Sequence, residues 1–315
     1  MRDLRIVFMG TPEFAVKSLE AILEAGYKVV GVITAPDRPA GRGRKLRESA
    51  VKTFALSKNL NVLQPTNLKS EDFQEELKSL NPNIQVVVAF RMLPKSVWDL
   101  PEYGTFNLHA SLLPQYRGAA PINWAIINGE LKTGVSTFFL DEKIDTGAMI
   151  LQKDTKIAET ENAEKLHDRL MQMGSNLVVK TLQVITSGKV KTSPQQESVD
   201  LKDAPKLTKD NTKIDWNASV DRIYNHIRGL NPYPAAWCYL ENSSEELKVK
   251  IYDIKKIHQE HHLPNGTVTI CDNQIKVAAP NGFIIVEDIQ LPGKRKMSSK
   301  ALLNGFKFAP EAKMR

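Results

Sequence analysis

Cysteine is scarce in this chain, with two residues, Cys238 and Cys271, in 315. Both fall in strand-like apolar segments, so the sequence predicts buried thiols and excludes a disulfide framework or a cysteine-based metal site. Long hydrophobic runs are also missing. None approaches the ~20 apolar residues that span a bilayer. The N-terminal LRIVFMG enters a strand with neither a signal core nor a small-residue cleavage site, so the expectation is a cytoplasmic chain with no membrane contact. A dinucleotide fingerprint is absent as well. The first strand-to-helix turn holds one glycine, Gly10, and Gly41-x-Gly43 lies after the second strand without a third, which excludes a nicotinamide cofactor. His258, His261 and His262 cluster near a turn. With no cysteine or acidic partners at suitable spacing they read as surface residues, and no metal is expected.

The chain is long enough for two ordinary domains and carries a net charge of +7. Basic residues number 27 against 24 acidic before Thr208, and 16 against 12 after it. The shorter part is the more basic per residue, which permits a polyanionic partner. Leu4 to Met9 reads as a buried strand, with Thr11 as N-cap and Pro12 as first residue of the helix that follows. Ala15, Leu19, Ile22 and Leu23 form that helix's apolar face, Gly26 closes it, and Val29 to Thr34 is the next strand. A β-α-β opening of this kind predicts a mostly parallel, Rossmann-like sheet. Glycines and prolines in Ala35 to Ser49 argue against regular structure there. Helices at Ser49 to Leu60 and Ser70 to Leu80 flank a short strand, and the apolar run Ile84 to Ala89 is a central one. Strands at Thr133 to Leu140 and Ala148 to Lys153 precede a long helix, Asn162 to Thr186, in which His167 is an ordinary helix residue beside the apolar stripe.

One stretch, Thr105 to Pro121, concentrates the chemistry. Phe106 and Leu108 alternate with Asn107 and His109, so an amide and an imidazole project to one side at a strand's end. Ligands of open α/β sheets bind at that end. By itself an N-x-H pair is better explained by strand termination and hydrogen bonds to loop backbone. The continuation NLHASLLPQYRGAAPI and the downstream DEKIDTG change that reading. Together with FMGTPEFA (Phe8 to Ala15) and PGKRKM (Pro292 to Met297), they make the chain resemble, over nearly its whole length, the formyltransferases that use 10-formyltetrahydrofolate, in particular the branch that acts on initiator methionyl-tRNA.

The resemblance implies a catalytic trio of Asn107, His109 and Asp145. Asp141 competes within the same turn, but the family aspartate precedes Thr-Gly, which selects Asp145. It implies that Ser111, Leu112, Leu113 and Pro114 hold the folate, and that the Phe90-Arg91-Met92 loop, shorter by a residue than in many relatives, borders that pocket. No metal or covalent nucleophile is implied. It also implies that the basic loop with Arg38, Arg42, Arg44 and Lys45 enters the tRNA acceptor end. A monomer is expected.

Residues 1–188 are thus expected to form the folate-binding catalytic domain, 189–207 a polar linker, and 208–315 a tRNA-binding domain. After a helix at Ser219 to Arg228, that last part reads as five short strands: Ala236 to Leu240, Leu247 to Ile254, Gly266 to Cys271, Gln274 to Ala278 and Phe283 to Ile289. They suggest a small OB-like β-barrel. Lys206 and the cluster Lys294, Arg295 and Lys296 are its candidate RNA contacts. Two rivals stand beside this reading: another folate enzyme, formylating a small amine or sugar nucleotide or hydrolysing the folate, and a non-catalytic RNA-binding protein on the same scaffold.

Overall fold

The computed structural model describes residues 2–40, 45–196 and 200–315. In chain order its elements are β1 Arg5–Gly10, α1 Glu13–Glu24, β2 Lys28–Ile33, β3 Arg38–Ala40, β4 Lys45–Arg47, α2 Ala50–Ser57, β5 Val62–Leu63, α3 Glu71–Ser79, β6 Ile84–Val88 and α4 Lys95–Trp98. They continue with β7 Thr105–His109, β8 Arg117–Gly118, α5 Pro121–Ile127, β9 Lys132–Phe139, β10 Met149–Lys156, α6 Ala163–Thr186, β11 Asp203–Ala204 and α7 Val220–Leu230. The rest are β12 Ala236–Asn242, β13 Glu245–Ile251, β14 Ile254–His258, β15 Val268–Cys271, β16 Gln274–Ala279, β17 Gly282–Val286, β18 Asp288–Gln290, β19 Met297–Ser298, α8 Ser299–Leu303 and β20 Lys313–Met314. Two compact units result. One comprises Met1–Gly118, Thr133–Thr155 and His167–Asp203, the other Ala119–Lys132, Lys156–Leu166 and Ala204–Arg315.

The first unit is built on a seven-stranded sheet in the order β10-β9-β7-β6-β1-β2-β5. Pairs from β5 through β7 are parallel, and β9 runs antiparallel to β7. The chain steps outward from β1 through β2 to β5, then returns to the other side of β1 with β6 and β7. This reversal of direction is the switch point at which open α/β sheets bind ligands beyond their carboxyl strand ends. Every residue of β6 is buried, as a strand covered on both faces requires. One apolar layer joins Val7, Met9 and Val87 of the sheet to Phe73 and Leu77 of α3 and Val97 of α4.

Two local readings are corrected. Pro12, not Thr11, occupies the N-cap of α1; its ψ of 176° is extended and no side chain caps the helix. The proline thus stands outside the first turn, and Ala15 N–H reaches the Pro12 carbonyl at 2.9 Å. The Ala35 to Ser49 segment is not irregular throughout: β3 and β4 pair antiparallel with Arg38 opposite Arg47. Its ends are pinned together. Asp37 accepts from Lys52 at 2.5 Å and from Gln64 at 2.8 Å, and the Thr34 and Ser49 hydroxyls meet at 2.7 Å. Side chains remote in the pattern therefore impose the pairing.

The second unit carries the small β-barrel, made of two antiparallel sheets in the orders β19-β18-β13-β12-β20 and β14-β17-β16-β15. Two strands expected to be continuous are each divided between the sheets. β13 gives way to β14 at Tyr252 and Asp253, and β17 to β18 at Glu287. The Asp253 carbonyl accepts from the N–H groups of Glu287 and Asp288, and this turns both strands at one corner. Ile223 and Ile227 of α7, Cys238 and Leu240 of β12, and Ile284 and Val286 of β17 share its core. Burial pushes the Cys238 thiol up to about 12. Cys271, in contrast, is exposed, which corrects the sequence expectation. It ends β15 three residues after the buried Val268, so strand alternation puts its side chain on the opposite, outer face.

Candidate active site

β7 lies between β6 and β9, with Asn107 opposite Val87 on one side and Phe138 on the other. Leu108 points to the other face, where a side chain at Gly174 of α6 would meet its Cδ2 at 2.7 Å. Asn107 and His109 therefore share the remaining face. His109 is 6 % exposed, and the buried Asn107 Oδ1 has no hydrogen-bond partner. Leaving a buried amide oxygen unpaired is costly, so its environment awaits a donor.

The loop after β7 wraps around His109. Nε2 lies 2.8 Å from the Tyr116 carbonyl, and an oxygen acceptor there requires that this nitrogen carry the proton. Nδ1 then faces the Asp145 carboxylate, with Oδ2 3.7 Å away. The same Oδ2 accepts the Gly118 N–H at 3.0 Å. Tyr116 and Asp145 both adopt left-handed conformations, with φ of 61° and 55°. Backbone of this kind in non-glycine residues costs about 1–3 kcal/mol and persists where neighbours enforce it. Tyr116 N–H is held by the Lys202 carbonyl at 2.6 Å.

Asp145 is enforced by a residue the sequence did not single out. Gln195 Nε2 donates to the carbonyls of Asp145 and Gly147, each at 2.9 Å, and its Oε1 accepts from Arg117 Nε at 3.1 Å and Nη2 at 2.7 Å. One amide thus ties the aspartate turn to the loop that follows His109. Gln195 stands in a polar stretch without periodicity, so no sequence signal marked it; Arg117, within the YRG of the recognised stretch, did carry one. Asp141 has another task, accepting from Lys143 N–H at 3.0 Å and Thr146 Oγ1 at 2.8 Å to shape the turn. Gly147 is required by close approach, because a Cβ would stand 1.7 Å from the Phe139 carbonyl oxygen.

Ser111 and Leu113 are buried and Leu112 and Pro114 half-buried. Ser111 Oγ donates to the Gln115 carbonyl at 2.6 Å, while Ser136 Oγ takes the Leu113 N–H at 3.3 Å and donates to the Ser111 carbonyl at 2.7 Å. This segment is a rigid wall in which half the side chains face inward. Phe90 and Leu140 pack with Leu93 and Val87 into an apolar surface on the same unit. A cavity of about 610 Å³ is lined by Leu68, Lys69, Arg91, Met92 and Lys95 among others. Arg91 donates to the Thr66 and Pro65 carbonyls, and its guanidinium is pushed down by burial and then by the charge of Arg38. Lys69, Arg91 and Lys95 give this cavity a basic rim beside the apolar Leu68, Met92 and Leu93.

The basic candidates are dispersed. Arg38 is exposed on β3, Lys45 lies in β4, and Arg42 and Arg44 lie outside the described residues. Lys206, Lys294 and Arg295 are exposed. Lys296 is paired with Asp288 at 3.0 Å and Asp253 at 3.6 Å, and these partners raise its pKa, the Asp288 hydrogen bond most. His258 pairs with Asp221 at 2.9 Å, His261 meets the Ala279 and Gly282 carbonyls, and His167 packs against Phe14. Among the described residues no group of His, Cys, Asp and Glu could hold a metal ion, and no helix is long and apolar enough to cross a membrane.

A switch-point strand presents an amide and an imidazole, with a carboxylate aimed at the imidazole, an arrangement suited to group transfer. The formyl transferase family pattern matches residues 4–182, and the pattern of the formyl transferase C-terminal domain matches 206–307. A methionyl-tRNA formyltransferase of Flavobacterium johnsoniae is 60 % identical over 314 residues, covering 100 % of both chains. One of Bacteroides fragilis is 52 % identical over 318 residues, covering 99 % of this chain and 98 % of the other. An N-formyltransferase of Helicobacter canadensis, solved with folinic acid and dTDP-3-aminofucose, shares the fold at 21 % identity and a TM-score of 0.67, covering 90 % of this chain and 98 % of that one. The chain belongs to the formyltransferase family.

Proposed function

We infer that this chain transfers the formyl group of 10-formyltetrahydrofolate to the free amino group of methionyl initiator tRNA, giving N-formylmethionyl-tRNA for translation initiation. The observation that carries the mechanism is the His109–Asp145 pair beside the unpaired Asn107 amide. The neutral amine of the methionyl group attacks the formyl carbon. A tetrahedral centre forms with negative charge on the formyl oxygen, the bond from carbon to the folate N10 breaks, and the proton lost by the amine is matched by one gained at N10. Asn107 donates to the developing oxyanion, a contribution of ~10²–10³ in rate. In this reading the Asn107 amide is turned so that its N–H₂ meets the substrate oxygen, since nitrogen and oxygen of an amide are assigned by their partners. His109, held by Tyr116 and faced by Asp145, stabilises the same oxygen and moves the proton between the two nitrogens.

Ser111, Leu112, Leu113 and Pro114 form the folate wall, and Lys69, Arg91 and Lys95 meet the carboxylates of its tail. Residues 1–188 supply the reacting side chains and 208–315 bind tRNA; the joining 189–207 also serves the site through Gln195 and Lys202. Arg38, Arg42, Arg44 and Lys45 approach the acceptor end, with Lys206, Lys294, Arg295 and Lys296 as further contacts. The chain works as a cytoplasmic monomer. The test is transfer of labelled formyl from 10-formyltetrahydrofolate to charged initiator tRNA, with charged elongator methionyl-tRNA and tRNA-free controls. Transfer to the initiator alone is expected. Folate consumption without tRNA would replace this reading with a hydrolase, and transfer to an amino sugar nucleotide would replace it with the small-amine rival.

A further inference from the structure

In the first unit, the ladder between β7 and β9 sets His109 opposite Ser136 and Asn107 opposite Phe138. Directly opposed residues share a face, so Ser136 stands beside His109 on the reacting side of the sheet. It is fully buried. The chain that leaves β7 folds back over it. Ser136 Oγ donates to the Ser111 carbonyl at 2.7 Å and accepts the Leu113 N–H at 3.3 Å. Gln152 of β10 completes the junction: its Nε2 donates to Ser136 Oγ at 3.0 Å and to the Leu113 carbonyl at 3.0 Å. A hydroxyl has one proton and two lone pairs, and here all are engaged. Leu113 is held at both backbone groups, its N–H by Ser136 and its carbonyl by Gln152. On the same face of β9, Gly134 makes room for Leu112, whose Cδ2 would lie 2.6 Å from a Cβ there. β9 and β10 thus form a mould for Ser111 to Leu113.

We propose that Gln152 is a positioning residue for the formyl donor: through Leu113 and Ser136 it sets the wall from Ser111 to Pro114, and with it the affinity for 10-formyltetrahydrofolate. The proposal rests on the reading of that wall as the folate seat. Gln152 is exposed on β10, the outermost strand of the sheet, and both bonds of its amide nitrogen run inward to this one junction. An exposed amide gains little net stability from exchanging water for protein partners. What it does here is choose one orientation for the Leu113 peptide. The near end of the loop is thereby fixed separately from its far end, where the Lys202 carbonyl holds Tyr116 N–H and Gln195 holds the Asp145 turn. Two brackets on one loop divide two tasks. The first shapes the donor's seat, and the second aims His109.

The chemistry of the junction says how to break it. In Gln152→Glu an amide that donates becomes a carboxylate that only accepts, and it faces the Leu113 carbonyl, which has no proton to give. The side chain turns to water and the Leu113 carbonyl loses its donor. Ser136 keeps its bonds to Ser111 and Leu113, so the wall loosens without collapsing. The contacts at Tyr116 and Asp145 are untouched, which confines the defect to donor binding.

The test measures formyl transfer by the full chain over a range of both substrates, together with calorimetric binding of tetrahydrofolate. Gln152→Glu should raise the KM for 10-formyltetrahydrofolate and the Kd for tetrahydrofolate by about threefold to tenfold, with kcat within about twofold of the parent and the KM for tRNA unchanged. Gln152→Lys, which returns an N–H donor, should recover most of that loss. Ser136→Ala leaves the Ser111 carbonyl and the Leu113 N–H without partners and should act in the same direction more strongly. The double variant should fall short of the product of the two, because both changes open one junction. Should Ser136→Ala melt early, the exposed Gln152 variants carry the test alone. A parent that transfers formyl, beside a Gln152→Glu variant with parental KM and Kd for folate, overturns the proposal and leaves the function standing, whatever the melting temperature does. So does a variant in which kcat and the KM for tRNA change as much as the KM for folate, since that is general loosening. A parent that neither transfers formyl nor binds tetrahydrofolate overturns the folate reading and the proposal together.

Discussion

At the scale of single residues, the site depends on how few groups hold each reacting side chain. Asn107→Ala, His109→Ala and Asp145→Ala should each lower kcat by more than about tenfold, with the oxyanion donor Asn107 nearer ~10²–10³. Unaltered circular dichroism with near-normal turnover in all three would defeat the assignment. Gln195 acts one step away from the chemistry. Gln195→Glu keeps an acceptor for Arg117 but loses both donors to the Asp145 turn. It should reduce kcat by about tenfold with little change in the KM for folate, and shift the pH profile of kcat because the carboxylate beside His109 is repositioned. A parental profile would make the residue merely structural. His226 bears on stability instead. It is half-buried with a buried, unpartnered Nε2, and desolvation, then the charge of Arg222, lowers its pKa, opposed by backbone contacts to Thr212 and Lys213 and by Asp215. A histidine lowered in the folded state is neutral there, while the unfolded chain takes up a proton near its ordinary ~6.5. Its contribution is therefore present above that pH and lost as pH falls below it. Urea midpoints between about pH 8 and pH 5 should decline, and His226→Gln should flatten the decline.

At the scale of elements, most strands and helices were legible because their periodicity is local. β6 and β7, the core-facing stripe of α6, and the apolar face of α1 at Ala15, Leu19 and Ile22 stand where alternation and helical spacing put them. What was not legible needed partners far along the chain. The bent strands β13–β14 and β17–β18 read as continuous because nothing within them announces a corner. The corner comes from Asp253 meeting Glu287 and Asp288. The β3–β4 hairpin likewise needed Lys52 and Gln64 to close around Asp37. If this hairpin delivers an RNA arm, Arg42→Ala with Arg44→Ala should raise the KM for tRNA by about tenfold and leave that for folate within about twofold, since each lost phosphate contact weakens only the polyanion. Equal losses for both substrates would show that the arm does not touch RNA.

At the scale of the whole molecule, the charge of +7 governs association rather than folding. The KM for tRNA should rise steeply between about 50 and 200 mM salt, by about 10³ or more if six phosphates are neutralised, while the KM for 10-formyltetrahydrofolate changes little. A flat response would remove RNA backbone contact from the account. The sequence alone determined the main strands and helices of the first unit, the shared face of Asn107 and His109, and the family resemblance, since these depend on alternation, spacing and motifs within short windows. The Thr-Gly after Asp145 had already marked it through the family resemblance; only the tertiary structure decided that Gln195 clamps its turn and that Lys209 and Lys213 join Lys248 over Trp237. Those relations unite residues 24 or more positions apart, and no local pattern encodes them.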